Sequence, residues 1–243
     1  MNSMLKEGLS VVIPIYNEKD NIQLLFKKII SFKKNSDINF EFILVDGFSQ
    51  DGTQELIKKS IELNSLHQYV KLYSMKTRNG YGYDIMFGLQ NANYDSLAWT
   101  HADLQTDLND VLKGYKILKQ SPANSIIKGR RVGRNFVDSS LTFAMQIFAL
   151  IKTGINLSDI NAQPKIFPRQ LYETSLIKNA PNDFSLDLFL LINAVKLKSN
   201  IITFDVKFKD RQYGEAKGGG GSLANRIALI KRTIKYINNV KKT

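Results

Sequence analysis

The stretch LSVVIPIY, residues 9–16, is an apolar run without alternation. A strand with one wet face alternates between apolar and polar side chains. An unbroken run of this length instead fits a strand covered on both faces, as in a parallel sheet. FEFILVD (40–46) repeats the pattern and ends on an acid. Between the two lies NEKDNIQLLFKKIISF, in which Ile22, Leu25, Phe26, Ile29 and Ile30 fall at helical spacing. Asn17 or Asp20 is the expected cap of that helix.

The alternation continues. DGTQELIKKSIEL (51–63) reads as a helix with Leu56, Ile57, Ile61 and Ser60 turned inward, VKLYSM (70–75) as a strand and YDIMFGLQNA (83–92) as a helix. SLAWT (96–100) and LNDVLKGYKIL (108–118) form the next strand and helix. Strand and helix in turn, with short links, predict an α/β fold: a doubly wound, mostly parallel sheet flanked by helices. Such sheets bind ligands outside the carboxyl ends of their strands. Asn17, Asp46 and the cluster His101, Asp103 and Gln105 all fall at predicted carboxyl ends.

The second half is less regular. SIIKGRR (125–131) reads as a strand leaving into a basic loop, 138–152 as an apolar helix, AQPKIF (162–167) as a short strand and FSLDLFLLINAVKL (184–197) as a helix. In IITFDVKF (201–208), Ile202, Phe204, Val206 and Phe208 alternate, which predicts one solvated face. Residues 223–240 carry Leu223, Ile227, Ile230, Ile234 and Ile237 along one face, flanked by Arg226, Lys231 and Lys235. The organisation expected is one domain over 1–222, followed by a basic amphipathic helix over 223–243. The glycines 218–221 read as a hinge between them.

Charge and composition narrow the function classes. The formal charge is +12, and residues 207–243 contribute ten Lys or Arg against two Asp or Glu. Such a surface attracts nucleic acid, anionic lipid or phosphorylated small molecules. No nucleic-acid-binding motif is recognisable, so nucleic acid is not an expected partner. With no cysteine there is neither a disulfide framework nor a thiolate metal site. No segment reads as a signal peptide. The longest apolar run, LTFAMQIFALI (141–151), falls short of the ~17–25 residues a spanning helix needs.

Five segments, VVIPIYNE, LVDGFSQDGT, RNGYGYDIMFGLQNA, THADLQTD and RQYGEAK, occur in an order that resembles the family 2 glycosyltransferases of GT-A fold. The similarity is greatest to the polyprenyl-phosphate (dolichyl-phosphate) sugar transferases, and the matching segments run from residue 9 to about 217. It implies an inverting glycosyltransferase that takes a sugar from a nucleotide-diphosphate donor. The implied acceptor is a polyprenyl phosphate, reached from the cytoplasmic face by peripheral contact with the membrane.

The resemblance also assigns residues. Pro14, Tyr16, Asn17 and Glu18 fall in the first nucleotide loop, with Asp46 and Gly80 as further nucleotide contacts. Tyr16 either stacks on the base or is a core tyrosine. The acid that usually follows Asp46 is Gly47 here, which removes one polar contact. Ser49, Asp51 and Thr53 either cap the following helix or touch ligand. His101, Asp103 and Gln105 occupy the D-x-D-x-Q metal motif, with His101 in the place of an acid. Oxygen ligands suit Mg²⁺ or Mn²⁺, and an imidazole moves the preference toward Mn²⁺. His101 is either that ligand or a loop histidine. Arg211, Gly214 and Lys217 match a loop that closes over the diphosphate, its glycine giving mobility and its cations charge-assisted contacts. A plain solvated basic loop is the alternative.

DINAQPKIFPR (159–169) resembles a segment beside the acceptor, through Asp159, Lys165, Phe167 and Arg169, with Gln163 and Pro164 departing from it. Lys128, Arg130, Arg131 and Arg134 either receive an acceptor phosphate or form a solvated turn. Asp187 falls where many inverting relatives keep their base, so Asp103, Asp187, Arg211 and Lys217 are the catalytic candidates. A hydroxyl acceptor needs a base and a phosphate does not, which leaves Asp187 as base, acceptor contact or helix-surface acid. Two rivals stay open: transfer to a glycan or lipid-linked saccharide hydroxyl in cell-surface polysaccharide assembly, and a non-catalytic sugar-nucleotide-binding protein.

Overall fold

In the computed structural model, residues 6–133, 159–176 and 179–209 are described, together with Leu150, Arg211 and Lys231. Strands are β1 (Lys6–Ile15), β2 (Phe40–Asp46), β3 (Val70–Ser74), β4 (Tyr94–Trp99), β5 (Ser125–Val132), β6 (Lys165–Pro168) and β7 (Asn200–Lys207). Helices are α1 (Lys19–Asn35), α2 (Thr53–Leu63), α3 (Tyr81–Gln90), α4 (Leu108–Lys119) and α5 (Leu186–Lys196).

The seven strands form one sheet in the order β3-β2-β1-β4-β6-β5-β7. Strands β1 to β4 run parallel, as the apolar runs predict, and β5 is parallel to β7. Strand β6 is antiparallel to both β4 and β5. Alternate residues of the strands serve opposite layers. Val11, Ile13, Phe42 and Leu44 pack with Leu25, Ile29, Ile57 and Val111 on one face, while Val12, Ile43, Val45 and Leu97 pack with Ile85, Leu89 and Leu190 on the other. Burial on both sides is the physical reason the runs lack polar alternation. At the edge, β7 alternates as expected: Phe204 and Val206 are buried, whereas Thr203, Asp205 and Lys207 are exposed.

One local expectation is corrected. Neither Asn17 nor Asp20 caps α1; the cap position is Glu18, without a side-chain cap bond, and the Asn17 Oδ1 accepts from Gln50 N at 2.8 Å instead. The strand expected over 125–131 is β5, which runs to Val132 alongside β7.

Strand order turns around at β1. The crossovers through α1 and α2 lead outward to β2 and β3, and the chain then returns through α3 to lay β4 on the other flank of β1. That reversal opens the crevice in which α/β sheets hold ligands. The loops leaving β1, β2 and β4 all reach it.

Candidate active site

Backbone strain marks these loops. Asn17, Phe48 and Leu104 hold positive φ angles of 50°, 73° and 57°, each just beyond the carboxyl end of β1, β2 or β4. Left-handed non-glycine residues persist where surrounding contacts hold them and cluster at ligand sites. The contacts here are specific. Asn17 N donates to Ser49 Oγ at 2.7 Å, Glu18 N to Thr53 Oγ1 at 3.0 Å and Lys19 N to Asp51 Oδ2 at 3.3 Å. Asp51 Oδ1 also accepts from Thr53 N at 3.0 Å. Ser49, Asp51 and Thr53 therefore stitch the first two loops together.

Tyr16 is half-buried outside both core clusters, and the Arg78 guanidinium lies 3.8 Å from its ring centroid. The core-tyrosine alternative is thereby excluded. Pro14 closes the same edge from within β1. Asp46 ends β2 and is 1% exposed; its Oδ2 accepts from Ser49 N at 3.3 Å. Burial pushes the Asp46 carboxyl up. Gly80 has φ of 114°, and its backbone and that of Gly82 press against the 181–183 segment, where Gly82 N donates to Asn182 O at 2.9 Å. The open backbone thus docks the start of α3 on the chain that leads into α5.

The metal-motif loop follows β4. His101 Nδ1 lies 3.9 Å from Asp103 Oδ2, and Asp103 Oδ1 accepts from Gln105 N at 3.2 Å. The His101 Nε2 meets the Tyr81 hydroxyl at 3.0 Å, and that hydroxyl lies 3.4 Å from Asp187 Oδ2. Gln105 donates from Nε2 to Lys209 O at 3.2 Å, and its own carbonyl accepts from Lys209 N at 2.8 Å. It ties this loop to the chain that carries Arg211. The Arg211 Nη2 in turn donates to both carboxylate oxygens of Glu18. Residues 193 apart are joined across the crevice. Lys217, Gly214, Arg134 and the stretches 138–149 and 232–243 lie outside the described residues.

Among the described residues no three His, Asp or Glu side chains gather into a full metal cage. His101 Nδ1 and Asp103 Oδ2 still present one nitrogen and one oxygen side by side. Two protein ligands suit a cation that completes its shell with substrate phosphate oxygens and water. The residues present fit a divalent metal of that kind.

Asp187 is not a surface acid. It is 1% exposed, and its Oδ1 accepts from Lys165 Nζ at 2.8 Å, Gln163 Nε2 at 2.9 Å and Trp99 Nε1 at 3.2 Å. Lys165 Nζ also donates to the carbonyls of Ile160 and Ala162, both at 2.8 Å. Burial drives the Lys165 ammonium down, and the charge of Asp187 opposes this. Gln163, which departs from the family pattern, is thus part of the network.

The basic residues of β5 are not a solvated turn either. Lys128 is 1% exposed and pushed down to about 7, first by burial and then by the Lys165 charge. Arg131 chelates Asp159, and Arg130 pairs with Asp205 at 2.7 Å. Arg169 is held by the carbonyls of Tyr94 and Ala92 at 2.9 and 2.8 Å. Sequence reasoning missed Tyr81, Trp99, Arg78 and Asp84. The available signals were the only tryptophan of the chain at the end of β4 and one acid in the apolar stretch YDIMFGL.

This sheet, with its crevice at the β1–β4 switch and an acidic loop after β4, defines a GT-A-type α/β fold. The chain belongs to glycosyl transferase family 2, whose family model matches residues 10–177. It is 27% identical over 213 residues to the undecaprenyl-phosphate 4-deoxy-4-formamido-L-arabinose transferase of Photorhabdus laumondii, covering 86% of this chain and 62% of that protein. The same enzyme from Aeromonas hydrophila is 25% identical over 235 residues, 93% of this chain and 67% of that one. The chain thus spans about two thirds of the length of these curated relatives. Its fold is shared with glucosyl-3-phosphoglycerate synthase of Mycobacterium tuberculosis, solved with Mn²⁺, UDP-Glc and phosphoglyceric acid (TM-score 0.73, 18% identity, 95% of this chain and 78% of that one). It is also shared with a mannosyltransferase of Pyrobaculum calidifontis, solved with GDP-Man and Mn²⁺ (TM-score 0.63, 19% identity, 87% and 59%).

Proposed function

We propose that the protein transfers a sugar, with inversion, from a nucleotide-diphosphate donor to a polyprenyl phosphate. The observation that carries the acceptor choice is the burial of Asp187. A hydroxyl acceptor needs a carboxylate within reach of its proton. The carboxylate in the position of the base is sealed from solvent and holds Lys165, Trp99 and Gln163 on one oxygen. A phosphate acceptor is already anionic and needs no base. The names of the relatives support the same choice.

Asp46, Tyr16 and the first loop would hold the nucleoside, with the diphosphate lying toward Asp103. His101 and Asp103 would hold the metal, Mn²⁺ or Mg²⁺, with Gln105 securing their loop. When bound, such a cation neutralises charge developing on the departing diphosphate. Tyr81 selects the useful tautomer of His101. With the Tyr81 proton directed at Asp187, its oxygen accepts from Nε2–H, which leaves the Nδ1 lone pair on the side of Asp103. Arg211, joined by Lys217, would exchange Glu18 for the diphosphate and favour its departure.

Among the described residues no helix is long and apolar enough to cross a membrane. The reading also includes peripheral attachment at the cytoplasmic face, where a polyprenyl phosphate would be met, with 223–240 as an interfacial helix beyond a catalytic domain that ends near 222. The direct test supplies labelled nucleotide sugars, Mn²⁺ or Mg²⁺, and either a short-chain polyprenyl phosphate or a saccharide. Label should pass to the phosphate lipid alone, and label on the saccharide alone would overturn the acceptor assignment.

Arg211→Ala should weaken nucleoside diphosphate binding. Charge-assisted contacts contribute ~1.5–3 kcal/mol, and surrender of the Glu18 pair places the net loss near the lower end. Calorimetry with UDP and GDP reads it, and wild-type affinity for both would show that Arg211 only braces the loop.

A further inference from the structure

Gly47 stands where resembling sequences carry an acid, and the structure shows what fills its space. A Cβ built on Gly47 would lie 2.5 Å from Asp84 Oδ2. A carbon and an oxygen that are not bonded do not tolerate that approach, so an acid at 47 would displace the Asp84 carboxylate from where it lies. Asp84 comes from α3 and is 5% exposed, beside the 1% of Asp46. Each acid keeps an Oδ1 for which the described residues supply no donor. Buried polar oxygens are ordinarily paired, and two such acceptors together at a ligand crevice call for a partner with N–H or O–H groups. Burial first, and the charge of Asp46 second, raise the Asp84 carboxyl to about 7 against the pull of Arg78. Arg78 is the residue stacked on Tyr16, so Asp84 belongs to the nucleoside end of the crevice rather than to the metal loop.

We propose that Asp84 supplies from α3 the acidic contact that position 47 lacks. It accepts a hydrogen bond from the donor's nucleoside, through a base N–H or a ribose hydroxyl, and so helps to set which nucleotide is taken. The inference rests on the nucleotide-sugar reading above. Asp84 is a specificity residue here and takes no part in bond making.

The experiment titrates UDP and GDP in the presence of Mn²⁺ into the wild type and into Asp84→Asn, Asp84→Ala, Gly47→Asp and the double variant Gly47→Asp/Asp84→Ala. Asp84→Asn keeps the shape should the alanine variant fold poorly. Gly47 lies outside the left-handed region, so an acid there is free of backbone strain. Asp84→Asn and Asp84→Ala should lose about tenfold to a hundredfold in affinity for the preferred nucleotide, and the preference between UDP and GDP should shrink. A purely structural Asp84 would move the melting temperature and leave that preference alone. Gly47→Asp should also bind poorly, because the two carboxylates collide, and the double variant should recover to within a few-fold of wild type. Binding by both Asp84 variants within threefold of wild type, or a double variant no better than the singles, overturns the assignment of Asp84 while the donor reading stands. A wild type that binds neither these two nor the cytidine, thymidine or adenosine diphosphate offered in their place overturns both.

Discussion

Replacing Asp187 with alanine should lower the stability of the fold by about 3–5 kcal/mol, the usual cost of stranding one partner of a buried ion pair. The Lys165 ammonium is fully buried and would keep only the carbonyls of Ile160 and Ala162. Trp99 Nε1 and Gln163 Nε2 would lose their bonds to Asp187 in the same step, Gln163 keeping the Tyr81 hydroxyl at 3.4 Å. At ~2–4 °C per kcal/mol for a chain of this size, the melting temperature should fall by roughly 6–20 °C. The double variant Asp187→Leu/Lys165→Met removes both charges together and should recover most of the loss, since apolar replacement of a whole buried pair is often neutral. A melting temperature for Asp187→Ala within 2 °C of wild type would show that the pair does not hold the fold. Asp187→Asn addresses chemistry. If the acceptor is a phosphate, transfer per folded molecule should stay within about a factor of ten, whereas loss of a working base costs ~10²–10⁴-fold.

The largest effect on transfer should come from Asp103→Ala. Removing one preorganised group from the stabilisation of developing charge costs ~10²–10³ in kcat. The side chain projects from the loop after β4 and its Oδ1 holds only the Gln105 amide, so the melting temperature should hardly change. Transfer within a few-fold of wild type would remove the metal from the mechanism. His101→Asp is the companion test. It replaces an imidazole by the oxygen ligand that Mg²⁺ prefers, so activity should move from Mn²⁺ toward Mg²⁺. An unchanged metal profile would return His101 to the role of a loop histidine held by Tyr81.

Much of the frame was legible beforehand because its determinants are local. Burial on both faces writes unbroken apolar runs into β1 and β2, and a strand's carboxyl end is fixed by where its run stops. Asp46 and the His101–Asp103 loop were placed at the crevice edge on that basis alone. The direction of β6 was not readable, because four residues with no helical crossover can pair either way. The surroundings of Asp187 were not readable for a related reason. On α5 it follows one leucine and precedes another, and no pattern within the helix says that a lysine from β6 meets it.

The sequence by itself determined the parallel half of the sheet, the order of its helices and which polar residues stand at the strand ends. These follow from periodicity and run length, which a short window contains. Only the tertiary structure decided how those residues are used: that Asp187 is sealed on Lys165, that Arg211 rests on Glu18, that Tyr81 links His101 to the buried acid, and that Asp84 fills the room left by Gly47. Each of these contacts joins different elements of the chain. The sheet order brings the partners to hydrogen-bonding distance, and electrostatics at that distance, stronger inside a protein than in water, gives each charge its role.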